Sequence, residues 1–462
     1  MELTLREIAY ACSGKLAKEE PGTKISGIST DSRTLVEGEF FIPIKGEHFD
    51  GHDYISTAYK KGAVGAITQN PEHLNKFNKN IILVEDTLEA LNKIAYYYRK
   101  KFNIPFVAVT GSTGKTTTKD MITDVLSQKY KVLKNIGSYN NKIGLPLTIF
   151  KLDDSYQLGV VEMGMSGFGE IAHLAKIVEP EIAIITNIGL SHIEKLGSVE
   201  NITKAKSEIL ECLKEGGTAF INADDSNLVK LKEKFSKTKF KTFGINNGDI
   251  KAFNIKTCNH RLITFNTKFN DAIYEFEIRI PGLHNVYNAL AAISVGLEFN
   301  LTPNQIKTGL KKFKSPKMRL EIVNGIKDCI IINDTYNASP DSMKAAIDVL
   351  HEIKAQKKGR AIAVLGDMLE MGDWGADAHK ELGIYAAQKG IDVLITVGEL
   401  AKHIATAAEE YGINTGCIFA FNSNFDAVNK IDEICKNNDV ILVKGSRGMK
   451  MEEIVHSLTN GR

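Results

Sequence analysis

"VTGSTGKTTTKD", residues 109–120, follows the apolar run "IPFVA" and precedes the segment "MITDVLSQKY". This order predicts a buried strand that ends near Thr110, a tight turn that Gly111 and Gly114 permit, and a helix that begins near Lys115. In such a turn the backbone N–H groups and the positive end of the helix face an anion. The stretch therefore predicts a parallel α/β sheet with a phosphate-binding loop.

The loop departs from the general phosphate-loop pattern Gly-x-x-x-x-Gly-Lys-Ser/Thr, because Val109 stands where the first glycine is required. The loop still has the residue types that bind a nucleotide, because Lys115 can neutralise phosphate oxygens and the Thr116 hydroxyl can reach a magnesium ion. A glycine turn with a surface lysine is the alternative interpretation. We interpret the stretch as a triphosphate site formed by Gly111, Ser112, Thr113, Gly114, Lys115, Thr116 and Thr117.

The composition is that of an ordinary globular protein of two or three domains. The chain has 462 residues, and its 58 basic and 56 acidic side chains leave a formal charge of +2. This balance gives no reason to expect nucleic acid or an anionic membrane as a partner. The cysteines are scattered without a CxxC pair, which argues against disulfides or structural zinc and favours a reducing cytoplasm. No stretch approaches the roughly 20 apolar residues of a membrane span, so we expect a cytoplasmic protein without membrane insertion. We also expect a monomer.

Apolar β-branched runs alternate with helical patterns along the chain, which predicts three α/β domains. Residues 1–100 form a small unit with short strands in "GEFFIPI", "AVGAIT" and "NIILVED". Residues 101–313 are predicted to form a parallel sheet covered by helices, and residues 314–462 a second alternating unit. Ser315–Pro316, in a lysine-rich stretch, marks the last boundary.

Three polar residues stand at or just after predicted strand ends of the central unit, where open parallel sheets bind ligands. Glu162 ends the strand in "LGVVEMG", Asn187 ends that in "IAIITNI", and His192 follows in "GLSHIEKLGS". One carboxylate plus phosphate oxygens suffices for a magnesium ion, which usually keeps several waters. A solvated glutamate and a packed loop histidine are the alternatives.

Polar residues further along the chain have local explanations as well as functional ones. Asn285 and Asn288 lie on one face of a predicted helix, where they can cap the helix or bind an adenine edge. Asp334 ends the predicted strand "CIIIND". In the loop after it, Asn337 and Asp341 can stabilise turns or cap a helix.

Several motifs resemble those of Mur ligases, the ATP-dependent family that adds amino acids to the peptidoglycan precursor. They cover almost the whole chain: "TGSTGKTTT", "YNNKIGLP", "VEMGMSGFGEI", "TNIGLSHIEKLGS", "KAKSEI", "LHNVYNALAA", "NDTYNASPDSM" and "VLGDMLEMG". The family has a short GxxGK[ST] loop, which explains Val109. "EMGMSGFGEI", "YNASPDSM" and "LGDMLEMG" are most similar to the member that joins D-alanyl-D-alanine to UDP-N-acetylmuramoyl-tripeptide. "ISTDSR" with "GEHFDGHDYI" resembles the uridine-diphosphate-binding domain shared with the tripeptide-forming sibling.

The resemblance implies a small N-terminal α/β domain for the UDP-substrate, a central P-loop ATPase domain with a parallel sheet, and a C-terminal Rossmann-like α/β domain. It implies ATP and two Mg²⁺ ions as cofactors and a reaction through an acyl phosphate. The implied substrates are UDP-N-acetylmuramoyl-tripeptide and D-alanyl-D-alanine, and the "GSRGMKMEE" loop is implied to approach the dipeptide.

The resemblance also implies site residues position by position. The implied ATP-binding residues are Gly111, Ser112, Thr113, Gly114, Lys115, Thr116, Thr117, Asn285, Asn288, Arg319 and Asp334. The implied metal ligands are Thr116, Glu162, His192 and Lys206, and the implied catalytic residues are Lys115, Lys206, His192 and Arg319. The residues implied near the UDP group are Thr30, Asp31, Ser32 and Arg33, and those near the dipeptide are Asn337, Asp367 and Arg447.

Lys206 in "KAKSEI" matches the lysine that the family carbamylates. A neutral lysine amine can take up carbon dioxide and become an anionic carbamate, whereas a bare ammonium would repel metal ions. A helix-surface lysine is the alternative.

Other functions stay open from the sequence. A sibling ligase that adds diaminopimelate or lysine, or folylpolyglutamate synthetase, would share the ATP site; "YNASPDSM" argues against the siblings and "STDSR" against the folate enzyme. A nucleotide-dependent regulatory module of a different class would have no use for Glu162, His192 and Lys206 together. The sequence does not distinguish lysine from diaminopimelate as the third residue of the acceptor.

Overall fold

The computed structural model describes residues 1–17, 23–77, 79–357 and 359–459. Its strands form three large sheets that follow one another along the chain, together with a two-stranded pair near the N-terminus. Helices cover the sheets. This architecture confirms the predicted α/β class with three domains.

The N-terminal domain has a five-stranded sheet. The strands of the domain are β1 (Leu3–Thr4), β2 (Lys15–Leu16), β3 (Lys24–Ile25), β4 (Gly27–Ser29), β5 (Glu39–Phe41), β6 (Gly65–Thr68) and β7 (Asn80–Leu83). Strands β1 and β3 pair with each other, and the other five form the sheet. Its helices are α1 (Leu5–Ala11), α2 (Ile55–Lys60), α3 (His73–Lys76) and α4 (Thr87–Arg99). The order is β2-β7-β6-β5-β4, parallel except between β2 and β7. The short strands predicted for this domain are confirmed as β5, β6 and β7.

The central domain has a nine-stranded sheet. Its strands are β8 (Phe106–Thr110), β9 (Val132–Lys134), β10 (Leu158–Glu162), β11 (Ile182–Ile185), β12 (Thr218–Asn222), β13 (Lys239–Gly244), β14 (Ile250–Cys258), β15 (Leu262–Phe269) and β16 (Ala272–Ile278). Its helices are α5 (Lys115–Leu126), α6 (Gly144–Ile149), α7 (Glu170–Val178), α8 (Ile193–Leu196), α9 (Val199–Glu211), α10 (Ser226–Val229), α11 (Leu231–Lys234), α12 (His284–Glu298) and α13 (Pro303–Lys312). The order is β16-β15-β14-β13-β12-β11-β8-β10-β9, and only the last two pairings along the chain, β14–β15 and β15–β16, are antiparallel.

The C-terminal domain has a six-stranded sheet. Its strands are β17 (Glu321–Asn324), β18 (Ile330–Asn333), β19 (Ala361–Gly366), β20 (Val393–Val397), β21 (Ile418–Phe421) and β22 (Val440–Lys444). Its helices are α14 (Pro340–Lys357), α15 (Gly375–Gln388), α16 (Lys402–Glu410), α17 (Asn424–Ile434) and α18 (Glu452–Thr459). Short 3₁₀ helices along the chain span Gly51–Tyr54, Ile326–Asp328, Gly372–Trp374, Thr415–Cys417 and Arg447–Met449. The order is β17-β18-β22-β19-β20-β21, parallel except between β17 and β18.

Strand β8 lies in the interior of the central sheet, between β10 and β11. All of its residues are buried, as expected for a strand with neighbours on both sides and helices on both faces. In the register of the sheet, Glu162 pairs with Val109 and Ile185 pairs with Thr110. The carboxyl ends of β10, β8 and β11 therefore lie side by side, directly before the phosphate loop.

Within the parts of the chain that the structure describes, no helix combines the length and the apolar character needed to cross a membrane.

Candidate active site

The turn between β8 and α5 has the conformation that its two glycines predict. Gly111 has φ +146° and Gly114 has φ +76°, both in the region that favours glycine. A Cβ atom at Gly111 would lie 1.9 Å from the Thr186 Oγ1 atom. The turn thus packs closely against the end of the neighbouring strand, and α5 begins at Lys115 as predicted.

The Lys115 side chain folds back over this turn. Its Nζ atom donates to the Gly111 carbonyl at 2.8 Å and to the Ser112 carbonyl at 3.1 Å. Desolvation lowers the pKa of Lys115, the Glu162 carboxylate opposes this effect, and the Arg319 guanidinium adds to it. A phosphate oxygen carries more negative charge than a carbonyl oxygen, so a nucleotide would compete for this ammonium group.

The Glu162 carboxylate lies beside the first turn of α5. It is 2% exposed. Its Oε2 atom accepts a hydrogen bond from Thr116 Oγ1 at 2.7 Å, and its Oε1 atom accepts one from Asn140 Nδ2, also at 2.7 Å. Asn140 belongs to the motif "YNNKIGLP" but was not predicted to be a site residue.

The oxygen atoms of Thr116 and Glu162 are of the type that Mg²⁺ prefers. Among the described residues, no three His, Cys, Asp or Glu side chains form a group that could hold a metal ion. Protein ligands alone would therefore leave positions open, which suits an ion that is completed by nucleotide oxygens and water. The residues present fit a nucleotide-bound magnesium ion.

His192 joins the central domain to the C-terminal domain. Its Nδ1 atom lies 2.8 Å from the Glu370 Oε2 atom, and the Glu194 N–H donates to the Glu370 carbonyl at 3.4 Å. Desolvation lowers the pKa of His192, the nearby Lys115 ammonium adds to this, and the Glu370 carboxylate opposes it. A neutral imidazole that donates its Nδ1 hydrogen to Glu370 keeps the Nε2 lone pair free for a metal ion.

Lys206 is not the helix-surface lysine of the alternative interpretation. It is 1% exposed, and its Nζ atom donates to the Gly111 carbonyl at 3.0 Å. Burial lowers the pKa of Lys206 well below its ordinary value, and the Lys115 charge lowers it further. The Gly111 carbonyl thus accepts hydrogen bonds from both lysines.

The two asparagines of α12 form a buried network behind the loop. Asn288 Nδ2 donates to Asn285 Oδ1 at 2.9 Å, and Asn288 Oδ1 accepts from Thr118 Oγ1 at 3.0 Å. A Cβ atom at Gly114 would lie 2.6 Å from Asn288 Oδ1. These asparagines therefore support the loop from the side of α12.

The C-terminal domain brings Arg319 and Asp334 to the same cavity. The Arg319 guanidinium lies over the Tyr336 ring, 4.0 Å from its centre. Asp334 Oδ2 forms an ion pair with Lys444 Nζ at 2.5 Å, and Lys444 also donates to the Asn337 carbonyl at 2.9 Å.

The cavity between the central and C-terminal domains has a volume of about 810 Å³, at the upper end of the usual range for small-molecule sites. Many candidates from the sequence line it: Ser112, Thr113, Gly114, Lys115, Thr116, Thr117, Glu162, Asn187, His192, Asn285, Asn288, Arg319, Asp334, Asn337 and Asp341. Gly111 and Lys206 are buried behind this lining.

Other candidates lie outside the cavity lining. Asp367 Oδ1 accepts the Ala401 N–H at 2.7 Å, so its carboxylate stabilises a turn. Arg447 pairs with Glu452 at 2.9 Å.

The four residues predicted near the UDP group follow β4 in the N-terminal domain: Thr30, Asp31, Ser32 and Arg33. Hydrogen bonds from the exposed Arg33 lower the pKa of Asp31 to about 2. This ion pair is local, and the group does not line the cavity.

Comparison with known proteins gives matches along the whole chain. Family models described as "Mur ligase family, catalytic domain", "Mur ligase middle domain" and "Mur ligase, glutamate ligase domain" match residues 24–99, 109–296 and 318–447. The UDP-N-acetylmuramoyl-tripeptide–D-alanyl-D-alanine ligase of Bacillus subtilis (strain 168) is 39% identical, over 98% of this chain and 98% of that protein.

Solved structures agree. A crystal structure of MurF from Acinetobacter baumannii has a TM-score of 0.91 at 31% identity and covers 99% of both chains. That of the MurF ligase from Thermotoga maritima in complex with ADP has a TM-score of 0.83 at 28% identity, over 95% of this chain and 98% of that one. With family models along the chain and a full-length relative at 39% identity, the chain belongs to the Mur ligase family.

Proposed function

We propose that this chain joins D-alanyl-D-alanine to the peptide carboxylate of UDP-N-acetylmuramoyl-tripeptide and consumes ATP. The observation that carries this proposal is the full-length similarity to relatives named for this activity. The candidate active site of this chain supports the proposal, because the Thr116 hydroxyl of the phosphate loop lies 2.7 Å from the Glu162 carboxylate. ATP use is further supported by the relative from Thermotoga maritima, which was crystallised in complex with ADP.

The first step activates the acceptor. A carboxylate is a poor electrophile, because its negative charge repels an amine. Transfer of the γ-phosphoryl group of ATP to the carboxylate oxygen gives an acyl phosphate and ADP, which creates a good leaving group. Lys115 would leave the loop carbonyls and bind the phosphate oxygens, and Arg319 would stabilise the charge that develops during transfer. Mg²⁺ held by Thr116 and Glu162 would supply further charge neutralisation.

The second step forms the amide bond. The free amine of D-alanyl-D-alanine attacks the acyl carbon, and the tetrahedral intermediate loses inorganic phosphate. Water must be kept from the acyl phosphate, which would otherwise hydrolyse. The contact between His192 and Glu370 joins the two domains that border the cavity, and we propose that closure of the C-terminal domain completes the site around Arg319 and Asp334.

We further propose that Lys206 is carbamylated. Burial lowers the pKa of its amine, which favours the neutral form that attacks carbon dioxide more than in a solvated lysine. The nitrogen forms a bond to the carbon of CO₂ and releases a proton, which gives an anionic carbamate. That group would replace the positive charge beside Lys115 with a negative one. Mass spectrometry or carbon-13 NMR after incubation with labelled bicarbonate tests this directly.

We also propose domain boundaries, substrate contacts and an oligomeric state. The division into residues 1–100, 101–313 and 314–462 follows the predicted boundaries. We keep the UDP group near residues 30–33 and propose that Asn337, Asp367 and Arg447 act on the dipeptide side. A second magnesium ion would take His192 as a ligand through its Nε2 atom, because the contact with Glu370 uses only Nδ1. We also propose that the chain is a cytoplasmic monomer. Gel filtration with light scattering tests the oligomeric state.

One experiment tests the proposed reaction. The chain is incubated with Mg-ATP, one acceptor and one amine. The acceptor is UDP-N-acetylmuramoyl-tripeptide or the precursor that lacks the third residue, and the amine is D-alanyl-D-alanine, diaminopimelate or lysine. Mass spectrometry should show the pentapeptide product only with D-alanyl-D-alanine, with one ADP and one phosphate per product. A product only with diaminopimelate or lysine, on the precursor that lacks the third residue, would assign the chain to a sibling activity. ATP hydrolysis independent of all acceptors would favour a regulatory module.

A further inference from the structure

A buried lysine that none of the steps above uses lies in the helix of the phosphate loop. Lys119 is three positions after Thr116 in α5 and is only 1% exposed. Its Nζ atom donates to the backbone carbonyl of Asn135 at 2.8 Å. The nearest carboxylate is that of Asp120 at 3.3 Å, which also pairs with Lys134 at 2.7 Å. Removing an ammonium group from water is costly, so this placement calls for an explanation.

Asn135, the acceptor of that hydrogen bond, is 0% exposed and directly follows β9. The pairing of β9 with β10 ends at Lys134 and Val160. Beyond that point the Asn135 side chain replaces the backbone pairing. Its Oδ1 atom accepts a hydrogen bond from the Glu162 N–H at 3.0 Å, and its Nδ2 atom donates to the backbone carbonyl of Glu162 at 3.1 Å. The amide thus binds both backbone polar groups of Glu162, as a neighbouring strand would.

Asn135 also supports the residue that holds the Glu162 carboxylate. Its Nδ2 atom donates to the Tyr139 carbonyl at 2.9 Å, immediately before Asn140, whose amide binds Glu162 Oε1. Glu162 is therefore held at its backbone by Asn135 and at its carboxylate by Thr116 and Asn140. Because Thr116 and Lys119 both belong to α5, both ends of Glu162 are tied to the helix that carries the phosphate loop.

We infer that Lys119 and Asn135 are positioning residues that fix Glu162 for the metal ion, with Lys119 acting through Asn135. This inference rests on the metal site proposed above. The competing explanation is that the pair only stabilises the fold. That explanation predicts a loss of stability without a change in metal affinity.

The test measures Mn²⁺ binding to the ADP-loaded protein by electron paramagnetic resonance, and ADP binding without metal by calorimetry. The variants are Lys119→Met, Asn135→Ala, their double variant and Glu162→Gln. Asn80→Ala is the matched control, because Asn80 is also a buried amide that donates to a backbone carbonyl, that of Val64 at 3.0 Å, but lies in the N-terminal domain. Thermal unfolding of each variant is recorded alongside, and either single variant is sufficient if the other does not fold.

We expect Lys119→Met and Asn135→Ala to weaken Mn²⁺ binding by about 10- to 100-fold, the usual effect of losing a group that orients a metal ligand. Metal-free ADP binding should change less than twofold. The double variant should bind Mn²⁺ no more weakly than Asn135→Ala, because Lys119 acts through Asn135. In turnover, the Mg²⁺ concentration for half-activation should rise while KM for ATP at saturating Mg²⁺ stays unchanged.

Two results would overturn the inference, and they differ in their reach. If Glu162→Gln weakens Mn²⁺ binding but the Lys119 and Asn135 variants bind it like Asn80→Ala, the pair is structural only and the proposed metal site stands. If Glu162→Gln itself leaves Mn²⁺ binding unchanged, the proposed metal site fails and the inference fails with it. An additive double variant would refute the route through Asn135.

Discussion

Replacing Lys115 with methionine separates the two roles that this side chain can have, in folding and in phosphate binding. In the structure its Nζ atom donates to the Gly111 carbonyl at 2.8 Å and to the Ser112 carbonyl at 3.1 Å. Losing two such hydrogen bonds costs about 1–3 kcal/mol in total. Desolvation already lowers the pKa of Lys115, so methionine also removes a charge that is costly to withdraw from water. These effects oppose each other, and we expect the free energy of unfolding to change by no more than about 2 kcal/mol.

The effect of Lys115→Met on turnover should be far larger. Removing one preorganised donor from a developing charge typically lowers kcat by about 10²- to 10³-fold, or about 2.7–4 kcal/mol of transition-state stabilisation. The assay is phosphate release that depends on D-alanyl-D-alanine, with urea unfolding as the second readout.

Lys129→Met is the matched control for this prediction. Lys129 also donates to two backbone carbonyls, those of Phe299 at 3.4 Å and Asn300 at 3.3 Å, but it lies beyond the other end of α5. The control should keep wild-type turnover. A loss of less than tenfold in a folded Lys115→Met variant would refute the phosphate role, and an equal loss in both variants would show that the effect is not local.

Further predictions address the loop, the buried lysine and domain closure. Gly111→Ala should destabilise the chain by about 2–6 kcal/mol in urea unfolding, because it adds backbone strain and overpacking where a Cβ atom would lie 1.9 Å from Thr186 Oγ1. The control is Gly412→Ala, which has φ +109° and nothing within 4 Å of the added atom, so it should show the strain alone. Equal losses of stability in the two variants would contradict the packing argument. Because the pKa of Lys206 is lowered in the folded chain, the unfolded chain binds more protons at pH values between the lowered pKa and about 10.5. The free energy of unfolding should therefore rise with pH in this window, and Lys206→Met should reduce that slope by at most about 1.4 kcal/mol per pH unit in buffer free of carbon dioxide. An unchanged slope would place a charged amine in the folded state. Small-angle scattering should show a smaller radius of gyration with a non-hydrolysable ATP analogue and magnesium, and identical profiles would count against closure.

The sequence was sufficient for the parts of the fold that local patterns determine. Four of the five residues of β8 are apolar and all five are buried, because the strand is covered on both faces. The positive φ angles after it require the glycines. The carboxyl-end position of Glu162 follows from the parallel arrangement, which places the ends of neighbouring strands together. The antiparallel extension formed by β14, β15 and β16 was not predicted, because it interrupts the alternation of strands and helices on which the domain prediction was based.

The contacts that define the site could not be read from the sequence in the same way. Glu370 lies 178 positions from its partner His192, and no local pattern links a loop of one domain to a loop of another. Asn140 and Lys119 lie within or next to recognised motifs, but a polar residue in a motif does not reveal which oxygen it binds. The burial of Lys119 and Lys206 could not be predicted from the sequence either, because lysines in helices are usually exposed to solvent.

In the proposed site the phosphates of ATP rest against the start of α5, with a divalent cation between them and Glu162. A crystal structure with magnesium and a non-hydrolysable ATP analogue would show this arrangement. We expect phosphate oxygens at the backbone N–H groups of residues 113–116, the Lys115 ammonium moved from the Gly111 carbonyl to the nucleotide, and a cation bound by Thr116 with Glu162 in or next to its shell. A nucleotide bound elsewhere in the cavity, or a cation that has no contact with Glu162 either directly or through water, would refute the proposed site.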